Sequence, residues 1–474
     1  MVAARDNRGV AIRLGGVVAL FLLLVGQAQV TVLDGNSMLA VAQPIVHDGS
    51  FAVPRELGVP GHDGGTYYSK YGLLLPLLSI LPVLVVQPIG ALTGRVDLVE
   101  AAAAASIMPL VAGALAAALF ALGRRLGAPR PAAALVAAGI VLGTYLLPYG
   151  RDFFTEPLVA LGLVVMVERA LAGREQQAAL ALALAVLARP QSAAFVPLLL
   201  GFMALRGAGV RAIARTIPPL AVAAIVTVAY NLHRFADPLE FGYRPPVDPG
   251  FTTPLLEGTS GLLFDLEKSL VLFAPALLLA PPAFAALWRR ARPTALLLLA
   301  LFAVTFVLAA TWHSWQGGWS WGPRLVIPGV ALVLVALAPW IGASRRRMAL
   351  AGALFAVGFV LSFSAVLAPP GMQLVDRAPG TVGPQLVRQY RELPRLTQSS
   401  VDAASDRGAR DGDYRRYLSV WQANLVRQVG GGAALPALLV TLLGLAALLR
   451  LTLGLVRDLR RDFVTEPWSK SNSR

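Results

Sequence analysis

Long runs of apolar residues, separated by short polar and basic connections, repeat along most of the chain. Segments long enough to cross about 30 Å of hydrocarbon lie at 12–33, 100–122, 131–149, 157–172, 211–231, 270–288, 294–311, 325–341, 348–367 and 433–456. A further apolar stretch, 178–205, is interrupted by Arg189-Pro190 and is interpreted as two segments that meet at Arg189. The pattern predicts an all-α polytopic membrane protein with about twelve transmembrane helices.

The arginine residues give the predicted orientation. They cluster after alternate apolar segments, at 124–130, 169–174, 206–215, 289–292, 345–347 and 457–461. The positive-inside rule places these clusters and both termini in the cytoplasm. The apolar stretch 73–92 contains Pro76, Pro82 and Pro88. Counting it as a crossing would invert every later basic loop, so it is expected to form broken helices at the outer surface.

Three regions follow from this scheme. Residues 1–367 form a membrane core, 368–432 form a polar extracytoplasmic loop, and 433–474 form the last transmembrane helix and a basic cytoplasmic tail. The first extracytoplasmic loop, Asp34–Val99, is also long. A multi-pass protein of the cell (inner or plasma) membrane is expected. A cleaved secretory signal is the alternative for the first segment, although its uncharged run is longer than such signals have.

Composition agrees with this class. Hydrophobic residues make up 56% of the chain and charged residues 14%, more apolar material than a soluble core can bury. The formal net charge of +15 lies in short clusters between apolar runs, so no nucleic-acid partner is expected. There is no cysteine, and therefore no disulfide or thiolate metal site.

Two charged residues stand out at the ends of apolar segments. Asp34 closes the first predicted helix, where an acid faces the negative end of the helix dipole and gains nothing from it. A functional role and a plain helix end both remain open for Asp34. Arg189 lies within an apolar stretch, where a guanidinium normally faces a cavity or a partner. Its alternative role is a salt bridge to an acid of an outer loop.

Other polar residues cluster in the predicted outer loops. The first loop carries Asp48, Asp63, Tyr68 and Lys70, and its two Asp-Gly pairs are typical of turns. The third outer turn carries Arg151, Asp152 and Glu156; the first two are able to pair with each other, and Glu156 precedes a proline at a helix start. His47 and His62 match no metal-ligand spacing.

Four of the eight tryptophans lie between Trp312 and Trp321, with His313 beside the first of them and Arg324 three residues beyond the last. An interfacial aromatic belt and a platform for a sugar or lipid are both consistent with this cluster. Arg324 at the start of the next helix would suit an anion, because its planar fork donates two hydrogen bonds at once.

Several motifs in this order resemble the bacterial C-superfamily (GT-C) membrane glycosyltransferases, in particular the protein mannosyltransferase and lipid A aminoarabinose transferase group. The resemblance covers roughly residues 12–367. It is carried by Asp34 and by the segments 67–72, 151–157, 187–190, 230–235, 240–243 and 319–324. Many members have a second acid close to the first, but Gly35-Asn36 follows Asp34 here. Asp48, Asp63 or no residue would fill that role.

The resemblance implies a transfer reaction at the outer membrane face. Such enzymes move a sugar from a polyprenyl phosphate to an acceptor hydroxyl and invert the anomeric configuration. Asp34 would then be the catalytic base, and the donor phosphate would be bound by Lys70, Arg189 and Arg324. Candidate substrate contacts are Asp63, Tyr68, Arg151, Asp152, Glu156, His313, Trp319 and Trp321. No metal site or cofactor is assigned, and the metal requirement, the sugar and the acceptor stay open.

Two other functions fit the same composition. A transporter or flippase of a lipid-linked sugar would also need many spans and a polar cavity, but paired broken helices in both halves are expected for a transporter. Only the break at Arg189-Pro190 is found. A catalytically inactive relative of the same fold is the other alternative.

The orientation is directly testable, because the chain has no native cysteine. We expect Ser50→Cys, Thr259→Cys and Ser400→Cys to react with an impermeant thiol reagent in intact cells. Ser344→Cys should react only after lysis, and the unmodified chain supplies a background of zero. Labelling of Ser344→Cys in intact cells would invert the predicted topology.

Overall fold

The computed structural model describes residues 2–318, 320–368, 390–391, 393–400, 418–429 and 431–465. Their regular structure is almost entirely helical, as the sequence predicts. The α-helices are α1 (Val2–Leu24), α2 (Leu33–His47), α3 (Leu74–Thr93), α4 (Val96–Ala105), α5 (Ile107–Arg125), α6 (Arg130–Leu142), α7 (Leu146–Tyr149), α8 (Glu156–Leu171), α9 (Glu175–Ala188), α10 (Val196–Leu205), α11 (Val210–Ala214), α12 (Ile217–Phe235), α13 (Leu255–Phe264), α14 (Leu270–Phe273), α15 (Ala280–Arg290), α16 (Arg292–Thr311), α17 (Ile327–Val335), α18 (Leu337–Ile341), α19 (Arg345–Leu367), α20 (Trp421–Val429) and α21 (Ala434–Thr465). Residues 390–391 and 393–400 are also helical.

Short elements complete the described structure. The 3-10 helices are Arg55–Leu57, Pro190–Phe195, Pro275–Leu279, Arg324–Val326 and Gly431–Ala433. The strands β1 (Val59–Pro60) and β2 (Tyr67–Tyr68) pair antiparallel, with Val59 opposite Tyr68. Most of the predicted loop 368–432 and the end of the predicted tail, beyond residue 465, lie outside the described residues.

Within the described part of the chain, eight helical stretches are long and apolar enough to cross a membrane. They are Asn7–Leu24, Leu74–Thr93, Val96–Arg125, Val210–Phe235, Arg292–Thr311, Arg324–Ile341, Arg345–Leu367 and Ala434–Arg460. Shorter apolar helices accompany them, such as Arg130–Leu142 and Glu175–Ala188. The prediction of an all-α polytopic membrane protein is confirmed, whereas the orientation of the termini stays a prediction.

The first helix ends earlier than the hydrophobic run predicts. It stops at Leu24, and Asp34 lies instead in the first turn of α2. The carbonyl groups after Leu24 bind other parts of the chain: Arg151 donates to the Val25 carbonyl at 2.8 Å, and the Trp421 amide donates to the Gly26 carbonyl at 2.6 Å. Asp34 therefore lies at the positive N-terminal end of a helix dipole and not at the negative end that the sequence predicts. An acid at a helix N-terminus is stabilised.

Two further segments differ from the sequence interpretation. Leu74–Thr93 is one continuous helix that contains Pro82 and Pro88, rather than several broken pieces. Proline is tolerated in membrane helices, because neighbouring groups compensate for the missing N–H. This helix is long and apolar enough to cross a membrane, and its position at the outer surface stays a prediction.

Proline has the opposite effect in the predicted span 270–288, which is divided between α14, a 3-10 turn and α15. The division lies at Ala274, whose backbone leaves the helical region before Pro275. The predicted break at Arg189-Pro190 is confirmed, since α9 ends at Ala188 and a 3-10 turn begins at Pro190.

Close glycine contacts hold the first helix against α5. A Cβ atom on Gly15 would lie 2.7 Å from the Gly113 carbonyl oxygen, and one on Gly113 would lie 2.5 Å from the Gly15 carbonyl oxygen. Small residues allow membrane helices to approach closely enough to pack without a hydrophobic driving force. This crossing fixes the end of α1 and thereby the position of the chain that leads to α2.

Several helices connect the two ends of the body. Helix α8 begins with Glu156, α16 ends just before Trp312, and Arg324 precedes α17. These three termini meet at one end of the protein, where the candidate site lies. At the opposite end of the protein, Leu171 at the end of α8 and Pro293 at the start of α16 lie near Trp340 of α18, the helix that follows α17. A helix of 20 residues such as α16 separates its two ends by about 30 Å.

Candidate active site

A cavity of about 240 Å³ lies where α2, α9, α16 and the segment before α17 meet. Among the residues that line it are five that the sequence analysis named: Asp34, Lys70, Arg189, His313 and Arg324. These residues are far apart in sequence, and each lies at the end of a helix or in a loop. The remainder of the wall is partly apolar, with Val159, Phe195, Leu308 and Leu325 among its residues.

Asp34 is held by a cation and a hydroxyl group. Arg324 Nη2 lies 2.9 Å from Asp34 Oδ2, and the Tyr71 hydroxyl donates a hydrogen bond to the same carboxylate. Burial by itself raises the pKa of Asp34, but Arg324, Tyr71 and Lys70 outweigh it, so that the pKa lies below its ordinary value. Burial and the neighbouring carboxylate raise the pKa of Tyr71 well above its ordinary value. Asp34 is therefore ionised and Tyr71 neutral at pH 7.

Glu156 is a second acid beside the same cations. Its Oε1 atom lies 2.8 Å from Arg189 Nη1 and 3.8 Å from Arg324 Nε. The Glu156 side chain is 2% exposed, and its Oε2 atom has no hydrogen-bond partner among the described residues. Arg189 thus forms the salt bridge that the sequence analysis gave as its alternative role, and it also lines the cavity. The arginine that follows α9 and the arginine that precedes α17 therefore share a single carboxylate.

A second charge cluster, formed by Lys70, Asp248 and His313, also lines the cavity. Lys70 forms an ion pair with Asp248, and His313 Nε2 lies 3.3 Å from Asp248 Oδ1. Lys70 follows β2, and this segment is fixed because Arg234 donates to the Ser69 carbonyl. The Arg234 guanidinium lies 3.7 Å from the centre of the Tyr230 ring. The loop therefore presents Lys70 from a rigid base.

Aromatic rings surround this second cluster. Lys70 Nζ lies 5.1 Å from the centre of the Tyr243 ring, which meets Trp312 edge-on with ring centres 5.2 Å apart. Phe251 packs against the other side of Trp312, at 5.0 Å. Burial raises the pKa of Tyr243 to about 12, so that its hydroxyl stays protonated. The cavity thus combines fixed charges with flat apolar faces.

Two predicted residues of the third outer turn, Arg151 and Asp152, lie away from the cavity wall. Arg151 is fully buried and donates to the carbonyl groups of Val25 and Ser419. Asp152 accepts a hydrogen bond from Gln27 at 2.6 Å. Burial raises the pKa of Asp152 to about 6, against the opposing effects of Arg151 and Gln27. Neither residue lines the cavity. Arg151 links the chain after α1 to Ser419, and Asp152 binds Gln27 in that same chain after α1.

The remaining predicted contacts also lie off the cavity wall. Asp63 is exposed and binds the backbone and hydroxyl of Thr66 within its own turn. Tyr68 is buried against His233 and Phe235. Trp321 is 3% exposed and packs edge-on against Phe273. Trp319 lies outside the described residues.

Tyr71 and Asp248 line the cavity but were not predicted as site residues, and Trp312 was predicted only as part of the tryptophan cluster. Tyr71 is adjacent to Lys70 and was quoted only as part of a motif. Asp248 lies in a loop after α12 without any motif, so its pairing with Lys70 has no signal in the sequence. Among the residues that the structure describes, no three His, Asp or Glu side chains are grouped as metal ligands.

Comparison with known proteins gave two solved structures. The chain is similar to the crystal structure of ArnT from Cupriavidus metallidurans bound to undecaprenyl phosphate, with 13% sequence identity, a TM-score of 0.47, and coverage of 96% of this chain and 77% of ArnT. The apo structure of the same protein gives 12% identity, a TM-score of 0.47, and coverage of 94% and 75%. ArnT is a GT-C aminoarabinose transferase, the group that the sequence motifs resemble. No protein-family model and no curated protein sequence matches the chain.

The double role of Glu156 leads to a prediction for stability. Glu156→Gln keeps the size of the side chain but removes the charge that Arg189 and Arg324 share. A hydrogen bond to a charged group contributes about 1.5–3 kcal/mol, so we expect a clear fall in the thermal unfolding temperature of the purified protein. Glu257→Gln, at an exposed position in α13, is the matched control. Equal unfolding temperatures for the two variants would show that the cations do not depend on Glu156.

Proposed function

We propose that the protein is a membrane glycosyltransferase that uses a polyprenyl-phosphate-linked sugar as donor. An acceptor hydroxyl would attack the anomeric carbon at the extracytoplasmic face, with inversion of configuration. The observation that carries the proposal is the placement of an ionised Asp34 in one cavity with Lys70, Arg189 and Arg324. Two carboxylates, Asp34 and Asp248, and three cations line this cavity together with aromatic rings. This arrangement suits a reaction that removes a proton and releases a phosphate.

The bonds of the proposed step balance without a further reactant. The acceptor oxygen forms a bond to the anomeric carbon while the bond from that carbon to the phosphate oxygen breaks. The proton of the acceptor hydroxyl passes to the Asp34 carboxylate, and polyprenyl phosphate leaves as the other product. Asp34 is suited to accept the proton because Arg324 and Tyr71 keep it ionised.

The cations have a separate role in this proposal. As the glycosidic bond breaks, negative charge grows on the phosphate, and preorganised donors lower the energy of that state. Arg189 and Arg324 are already held by Glu156 and Asp34, and Lys70 is held by Asp248. Their side chains therefore need little rearrangement when a phosphate enters. Tyr243 and Trp312 offer apolar faces on which a sugar ring could pack.

The central test is Asp34→Asn. Asparagine keeps the size of the side chain and its position at the start of α2, but it cannot accept the proton. Positioned base catalysis contributes about 10²–10⁴-fold, and we expect a fall of that size in transfer at saturating donor. Release of polyprenyl phosphate from a panel of polyprenyl-phosphate sugars is the measurement. Because the pKa of Asp34 lies below its ordinary value, transfer by the native protein should not decline between about pH 7 and pH 5 for lack of ionised base.

Asp48→Asn is the matched control, since Asp48 lies at the other end of α2 and does not line the cavity. Its transfer rate should equal that of the native protein. Transfer within threefold of native in a correctly folded Asp34→Asn protein would contradict the catalytic assignment. Transport of the donor without release of polyprenyl phosphate would favour the transporter alternative.

The role of the cations is tested by Arg189→Gln. If Arg189 binds the donor phosphate, its loss removes a charge-assisted hydrogen bond, worth about tenfold to hundredfold in affinity. We expect KM for the donor to rise by that factor while KM for the acceptor changes little. Arg174→Gln, which precedes the opposite end of the same helix, is the control. A donor KM equal to that of the control would restrict Arg189 to its salt bridge with Glu156.

A further inference from the structure

A second and larger cavity lies at the end of the protein opposite the candidate active site. Its volume is about 640 Å³, within the range of about 300–1,000 Å³ that ligand pockets have. It is formed by the ends of α5, α8, α10 and α15 and by the beginnings of α16 and α19. Helices α8 and α16 run from one cavity to the other, so the two open on opposite ends of the body. The predicted topology places this second cavity at the cytoplasmic membrane surface.

The charge of this cavity is of one sign. Arg125, Arg206, Arg290 and Arg347 line it, and no acidic residue is among its lining residues. Glu168 is close by and binds Arg125 at 2.7 Å, but the same carboxylate also binds Arg169 at 3.1 Å. Within the described part of the chain, Arg206, Arg290 and Arg347 form no ion pair with a carboxylate. The cavity therefore has uncompensated positive charge.

Helix-end stabilisation explains only part of this arrangement. Arg125 and Arg290 lie in the last turns of their helices, where a cation is favoured by the helix dipole. Arg347 lies in the first turn of α19, where the dipole disfavours a cation. Its guanidinium lies 4.6 Å from the centre of the Trp340 ring, and Trp340 also lines the cavity. Stacking on the indole and a hydrogen bond from Arg347 Nη1 to the Trp340 carbonyl, at 3.4 Å, hold Arg347 at the wall. The other N–H groups of Arg347 are left to bind an anion.

Apolar surface continues from the cavity along the neighbouring helices. Leu126, Leu171 and Leu287 line it. The exposed side chains of Leu296 on α16 and Leu350 on α19 lie three residues after the lining residues Pro293 and Arg347, on the same helix faces. A water-soluble anion would gain nothing from these side chains, whereas the acyl chains of a lipid would cover them. Basic pockets between membrane helices on the cytoplasmic side are suited to anionic lipid headgroups.

We propose that this cavity binds the phosphate of an anionic phospholipid headgroup. Arg206, Arg290 and Arg347 would donate hydrogen bonds to the phosphate oxygens, and the acyl chains would lie along the exposed faces of α16 and α19. The site is separate from the cavity that contains Asp34, and the proposal does not depend on the function assigned to that cavity. A soluble phosphate compound presents the same phosphate group to these arginines. The test below therefore compares a lipid with a soluble phosphate.

The test uses the purified full-length chain in nonionic detergent. Native mass spectrometry would count bound molecules during titration with dioctanoyl phosphatidylglycerol, dioctanoyl phosphatidylcholine or inorganic phosphate. We expect one saturable site for phosphatidylglycerol, and weaker binding by at least tenfold for the other two probes. Arg290→Gln/Arg347→Gln should weaken phosphatidylglycerol binding at least tenfold.

Arg289→Gln/Arg346→Gln is the matched control. It removes the same charge from the same two helices, at residues that do not line the cavity, and it should change the affinity less than threefold. Ala343→Phe fills the cavity without changing the charge and should weaken binding at least tenfold. Ala343→Phe tests the same cavity if Arg290→Gln/Arg347→Gln fails to fold.

Equal losses in the two arginine double variants would show only diffuse attraction and would overturn the proposal. Equal affinity for phosphatidylcholine would also overturn the proposal. The headgroup of phosphatidylcholine contains a phosphate but has no net charge, so the cavity would then not select anionic lipids. Binding of inorganic phosphate as tight as that of phosphatidylglycerol would assign the cavity to a soluble phosphate compound instead of a lipid. Unchanged affinity in Ala343→Phe would place the bound lipid elsewhere.

Discussion

The ion pairs of Asp34, Glu156, Arg189 and Arg324 are the constraint on which the rest of the site depends. A charge inside an apolar body is costly unless it is paired, and breaking a buried pair leaves an uncompensated charge. Each of these side chains comes from a different helix end: the starts of α2, α8 and the segment before α17, and the end of α9. Pairing the charges therefore brings these ends together and opens the cavity between them.

The pairing also sets the electrostatic state of the site. Two carboxylates pair with two guanidinium groups, and Lys70 pairs with Asp248. An entering phosphate would share cations that protein carboxylates already hold. Such sharing moderates the affinity of the phosphate, which would favour release of the product of the proposed reaction. The same pairs keep Asp34 ionised, because the neighbouring cation and hydroxyl outweigh the effect of burial on its pKa.

Many individual residues of the site could be predicted from the sequence, but which of them contact each other could not. Asp34, Lys70, Arg189 and Arg324 are conspicuous because charges at the ends of apolar segments need a reason. The role of Glu156 was divided between a helix start and a substrate contact, and the structure shows a carboxylate shared by two arginines. Arg151 and Asp152 were equally conspicuous, yet Arg151 links the chain after α1 to Ser419, and Asp152 binds Gln27. A charged residue within an apolar segment indicates that it has a binding partner. For Arg151 and Asp152, that partner is another part of the same chain.

The sequence by itself determined the helical membrane architecture and the break at Arg189-Pro190, because hydrophobic length and the chemistry of proline act locally. Tertiary structure decided where α1 ends, since the carbonyl groups after Leu24 bind Arg151 and Trp421 rather than continuing the helix. It likewise decided that Leu74–Thr93 is continuous despite its prolines, and that Asp248 meets Lys70. Some of these contacts join groups that are hundreds of residues apart in the sequence. Hydropathy along the chain does not indicate which distant group pairs with a given charge or carbonyl.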